Sequence, residues 1–176
     1  MNRLYVIALL AIIGCASSKE EMTSSQPLKK ESKYLRWVGD SQYDSLTDDP
    51  NFKLCNHEKL AKQYFNIGDA MEYEGEKPML VRHFLDNYQP VDTQQSGYLR
   101  IRFLVNCDGA TGRFRLTQSD VNYQEITFDK QITDQLLALT QSLDGWKTKY
   151  DGGQPVDYYQ YLIFKIDQGT LTEILP

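Results

Sequence analysis

Three cysteines (Cys15, Cys55 and Cys107) and two histidines (His57 and His83) are the residues here best suited to redox, metal or acid–base chemistry. The histidines are far apart, and neither belongs to a Cys-x-x-Cys or His-x-x-x-His pattern, so the spacing offers no metal site. His57, beside Glu58, reads as a solvated helix start. Nucleophilic catalysis has no better footing, because Gly-x-Ser-x-Gly is absent and no serine or cysteine lies in an activating context. Glu72, Glu74 and Glu76 alternate around Tyr73 and Gly75 and read as a solvated turn rather than a carboxylate pair. Tyr158, Tyr159 and Tyr161 can form a ligand platform, although tyrosines on a sheet face are commonly core with a wetted hydroxyl. No cofactor or metal is expected, and the chain reads as non-enzymatic.

Cys15 has a different context. One basic residue, Arg3, precedes an unbroken apolar run from Leu4 to Ile13, the layout of a secretory signal. The run is too short to span a bilayer, which takes about 20 helical residues. Ile12-Ile13-Gly14-Cys15 then resembles the bacterial lipoprotein signal, in which branched apolar residues and a small residue precede a cysteine. The resemblance implies removal of residues 1–14 and lipid on Cys15, with the membrane as a partner. Each buried CH₂ contributes about 0.8 kcal/mol, so several acyl chains anchor a protein durably. The alternative is a soluble secreted chain cut after Gly14 or Ala16. Ala16 stands where an aspartate would resemble an inner-membrane retention signal, which makes the outer membrane the expected address. Ser17-Ser18-Lys19-Glu20-Glu21 is similar to the acidic surface-export signal of Bacteroidetes lipoproteins, leaving periplasmic face or cell surface open.

Loss of Arg3 takes one from 19 basic residues, leaving 18 against 24 acidic ones and a net charge of −6. Neither that balance nor the spacing of Lys and Arg provides the basic patch that nucleic acid requires. Once Cys15 carries lipid, Cys55 and Cys107 are the remaining pair in an oxidising compartment, and a disulfide is expected; two buried thiols are the alternative.

The elements that must position these residues follow from composition and period. Residues 15–33 form the lipidated cysteine and a polar tether without the apolar content for a core. In 34–97, aromatic residues from Tyr34 through Trp37 and Tyr43 to Phe52 mark an irregular segment, and an exposed apolar patch around Trp37 and Tyr43 would favour docking into an assembly. A short helix is predicted over Cys55 to Phe65, with Leu60, Tyr64 and Phe65 at helical spacing. A second helix is predicted over Lys77 to Tyr88, with Leu80, Val81, Phe84, Leu85 and Tyr88 on one face and Pro78 in its first turn. After Gly97 the period becomes two: Leu99, Ile101, Phe103, Val105 and Cys107 face one way, and Asn106-Cys107-Asp108-Gly109 turns the strand into a partner over Gly112 to Leu116. Phe128, Ile132, Leu136, Leu139 and Leu143 give a long amphipathic helix from about Thr127 to Gly145. A turn-rich connection follows over Trp146 to Gly153, then a strand over Tyr158 to Ile166 and a last apolar stretch, Leu171 to Leu175. The expectation is α+β, with 98–176 a ββαβ portion and 34–176 one compact domain.

In their order and spacing these pieces resemble the C-terminal domain of TonB, in the form common in Bacteroidetes. Tyr73-Glu74-Gly75-Glu76-Lys77 and Phe84-Leu85-Asp86-Asn87-Tyr88 are similar to the family's opening helix. Gly97 through Gly109 is similar to its first strand and turn, and Gly145-Trp146-Lys147 with Gly153-Gln154-Pro155-Val156-Asp157 to the approach to its last strand. The resemblance implies a protein-interaction module that adds an extended peptide of an outer-membrane transporter to the edge of its last long strand. Carried over, that edge is Tyr158, Tyr159, Tyr161, Ile163 and Lys165. The chain departs from an energy transducer, which has an uncleaved anchor and a Pro-rich spacer. At about 3.3 to 3.6 Å per residue, the tether here reaches about 60 Å. Leu171 to Leu175 can also fold back and occupy the edge, which would leave a structural envelope lipoprotein docked in a larger assembly.

Overall fold

The switch to alternating periodicity at Gly97 is where the sheet begins. In the computed structural model, which describes residues 41–63 and 72–175, β2 (Gly97–Val105) and β3 (Thr111–Asp120) pair antiparallel through the 106–110 turn. β2 also pairs antiparallel with β6 (Tyr158–Asp167), which is thereby the centre of a five-stranded sheet. On the far side of β6, β1 (Lys62–Gln63) pairs parallel with Tyr158 and Tyr159, and β7 (Thr170–Leu175) pairs antiparallel with Ile163 to Asp167. Strand, strand, helix, strand is present as β2, β3, α2 (Lys130–Gln141), β6. With α1 (Glu76–Asn87) the architecture is α+β. Residues 1–40, and with them Cys15, the signal, the tether, Tyr34 and Trp37, lie outside the described residues, as do Tyr64 and Phe65.

Both helices lie on one sheet face. Leu80, Phe84 and Tyr88 of α1 and Ile132 and Leu136 of α2 share a core with Leu99, Ile101, Phe103, Leu162 and Phe164. The α1 stripe is narrower than the spacing predicts, since Leu85 is half exposed. Pro78 falls in the first turn, where its missing N–H has no helical partner to lose. Helix α2 begins later than Thr127 because the Asp129 carboxylate caps it, accepting from the Gln131 N–H at 2.8 Å. It stops before Gly145 because the Ser142 hydroxyl donates to the Leu139 carbonyl.

The opposite sheet face is covered too, and for this reason β2 is buried on both sides from Arg102 onward. Segment 41–63 lies over it. Arg115 grips Asp48 at 2.6 Å, Arg102 donates to Gln63, Asn106 to the Lys53 carbonyl, and the Ser41 N–H to the Tyr159 hydroxyl. Phe52 rests on Gly112, where a Cβ would come within 2.3 Å of its ring. The helix predicted from Cys55 is instead one 3-10 turn, Glu58–Leu60. Asp157 draws in the N–H groups of Cys55 and Asn56 where a helix would start. Leu60 is 60% exposed, and Ala61 turns extended into β1. The connection after Trp146 contains a hairpin, β4 (Lys149–Asp151) and β5 (Gln154–Val156), closed by Gly152 and Gly153 at positive φ, as a tight two-residue turn requires.

Candidate interaction surface

The strand carried over as a peptide-binding edge is interior. Tyr158 pairs with Lys62 and Tyr159 with Gln63, while Ile163 and Lys165 face Leu175 and Glu173 of β7. The expected edge at Tyr158, Tyr159, Ile163 and Lys165 is therefore corrected: with β2 on the other side, their main-chain groups belong to the sheet. The cause lies in the 168–169 turn. Gln168 and Gly169 adopt positive φ, and a Cβ on Gly169 would meet the Val91 carbonyl at 1.9 Å, so the chain reverses tightly against the loop after α1. Tyr161 lies between the two pairing segments with the Arg100 guanidinium 5.0 Å above its ring. The tyrosines form no common platform. Tyr158 is buried on the helical side and donates to the Lys147 carbonyl, whereas Tyr159 faces the opposite side beneath Arg102 at 4.4 Å. Burial pushes the Tyr158 phenol well above its ordinary range, so it serves as a neutral donor.

Strand β3 forms the other end of the sheet. At its C-terminal end the Gln118 carbonyl accepts from Ile126, and the Asp120 N–H donates to Gln124. Main-chain groups alternate sides along an antiparallel strand, so Phe114, Leu116, Gln118 and Asp120 all point away from β2. The Phe114 carbonyl is taken by Arg115 at 2.9 Å. The outward N–H and C=O of Leu116 have no partner among the described residues. A bulge at Arg113, which has φ 56°, bends the strand just before this point. The open stretch forms the floor of a groove of about 660 Å³. Its walls are the 46–49 loop on one side and Leu137 and Gln141 of α2 on the other. Leu46 stands at the rim, 92% exposed.

The wall at residues 46–49 is held by charge. Arg115 and Asp48 form two hydrogen bonds, of 2.6 and 2.7 Å, and this guanidinium holds the Asp48 carboxyl below the usual carboxylate range. Arg113 pairs with Glu58 at 2.7 Å. Asp49 caps the Asn51 N–H and has no ion pair among the described residues.

Cys55 and Cys107 are bonded, with Cα atoms 5.9 Å apart. Asp157, 1% exposed, lies beside them and accepts from the N–H groups of Cys55 (3.1 Å), Asn56 (2.8 Å) and Cys107 (3.0 Å). The three side chains are close enough to share an ion. Here the sulfurs are joined to each other, and the carboxylate is taken up by main-chain donors.

His57 accepts the Lys59 N–H as cap of the 3-10 turn, and His83 sits at 3.1 Å from the Leu139 carbonyl and 3.3 Å from the Ser142 hydroxyl, joining α1 to the end of α2. Glu72 is not solvated as its alternation predicts: it is 8% exposed and pairs with Lys149 at 2.5 Å, while Glu74 and Glu76 stay exposed. Sequence reasoning missed Asp157, Asp48, Leu46 and Leu137, whose partners are remote and follow no period. No family model, curated protein or solved structure matches this chain.

Proposed function

We propose that this protein is a lipid-anchored, non-enzymatic module of the cell envelope that docks onto a protein partner. In this reading the sheet edge used by TonB-like domains for peptide addition is occupied by the chain's own final strand. The observation that carries it is the antiparallel pairing of β7 with Ile163 to Asp167, which closes that side of β6 and leaves docking to another surface. Support for the anchor is the Ile12-Ile13-Gly14-Cys15 sequence and the polar tether behind it. Support for binding rather than catalysis is that the histidines and the Cys–Cys–Asp157 group all serve as caps, bridges and main-chain acceptors. The resemblance to TonB domains makes an outer-membrane transporter or receptor the partner class to test.

Palmitate labelling and membrane sedimentation of the full-length protein, compared with Cys15→Ser, test the anchor. The wild type incorporates label and sediments, and the variant does neither. Affinity purification from detergent-solubilised envelope tests the docking, with one envelope protein retained reproducibly. A Cys15→Ser protein processed to the same size and still sedimenting would sink the anchor, and an empty eluate would sink the docking role.

A further inference from the structure

With β6 closed on both sides, the sheet ends at β1 and β7 on one side and at β3 on the other, and on β3 the Leu116 N–H and C=O lie at the floor of a walled groove. Exposed strand edges are normally blunted, and the Arg113 bulge, the Arg115 bond to the Phe114 carbonyl and the 124–126 segment blunt most of this one. What stays open is one donor and one acceptor at strand spacing between two walls. An extended polypeptide offers the complementary pair together with side chains to fill the space between the walls. Of the groove's three charged groups, Arg113 and Asp48 are already paired, with Glu58 and Arg115. Among the described residues Asp49 is left as its one uncompensated charge, so a cation is the complement. A second copy of this chain fits poorly, because its β3 is flanked by the same two walls and the grooves cannot interpenetrate.

We infer that the groove takes an extended segment of the partner as an added strand on β3, with an aliphatic side chain on Phe114, Leu116 and Leu137 and a lysine or arginine against Asp49. The inference rests on the interaction-module reading and assigns that module its binding site. Main-chain bonding at Leu116 sets register, and the two side-chain contacts set choice.

The test uses the full chain with Cys15→Ser, isotopically labelled, and a short peptide of alternating valine and lysine at millimolar concentration. Amide resonances of Phe114, Leu116 and Leu137 shift, and exchange of the Leu116 amide slows by about ten-fold, the worth of one net main-chain hydrogen bond. Alternate N-methylation of the peptide abolishes both effects. Asp49→Asn, which keeps the cap on Asn51, weakens binding by about two- to five-fold, the range of an exposed ion pair, and a valine–glutamate peptide binds more weakly than the valine–lysine one. Shifts confined to β7, concentration-dependent shifts without peptide that reveal self-pairing, or no shift at all would each overturn the inference. Still amides at the groove beside a reproducibly retained envelope protein would remove this site and leave the proposed function standing. Groove binding with nothing retained from the envelope would do the reverse.

Discussion

Asp157 joins three parts of the molecule that the sequence keeps far apart: the approach to the 3-10 turn, the turn after β2 and the start of β6. Its carboxylate is buried and gathers three main-chain donors, two of them from the exposed residues Cys55 and Asn56. Replacing it with alanine strands those donors, each a matter of about 1 to 3 kcal/mol when left unmet. Asp157→Ala is therefore expected to lower unfolding stability by about 3 kcal/mol or more in urea titration; a loss within about 0.5 kcal/mol would show that the donors find other partners. Asp48 is the second residue with a measurable signature. Its pKa is depressed by the Arg115 hydrogen bond, so this carboxylate contributes stability that is fully present above the ordinary aspartate range and is lost as pH falls through its lower folded value. Asp48→Asn is expected to flatten the acid limb of the stability–pH curve, while leaving the shape above neutrality unchanged. Neither residue was legible in the sequence, where Asp157 looks like the end of a turn and Asp48 like one of several loop acids. The Cys55–Cys107 bond was legible because, on the expectation that Cys15 carries lipid, those two are the one pair left.

At the scale of elements, periodicity revealed α1, β2 and α2 because each carries one apolar stripe facing one core. It misread residues 55–63, because Leu60, Tyr64 and Phe65 have helical spacing while the start of the segment is pinned by Asp157 to the sheet. The last stretch gave only an apolar signal, since the bulge between Lys165 and Ile166 breaks the alternation between β7 and its partner. In the proposed function that pairing closes the side of β6 a peptide would need, and a proline tests it. Ile163 lies between Arg100 of β2 and Leu175 of β7, so Ile163→Pro removes a ladder bond from an interior strand and is expected to unfold the domain, read as loss of cooperative melting. Survival of the fold would mean that β6 is an edge after all. Asp129→Ala removes the α2 cap and should cost about 1 kcal/mol, with the remaining structure unchanged.

At the scale of the whole molecule, one disulfide closes a separation of 52 residues and ties segment 41–63 to the β2–β3 turn. Chain entropy puts its contribution at about 4 kcal/mol, so reduction is expected to lower the urea midpoint substantially and to loosen the 46–49 wall of the groove before the helical core. In the proposed function the groove is the working face of an anchored module. The most direct test places a photo-crosslinking side chain at Leu46, on the groove rim, in the full-length protein in living cells, with Tyr150 on the β4–β5 hairpin as the exposed reference position. A discrete adduct from position 46, absent from position 150 and lost with Cys15→Ser, is the expected result. No adduct from either position, or the same adducts from both, would contradict it.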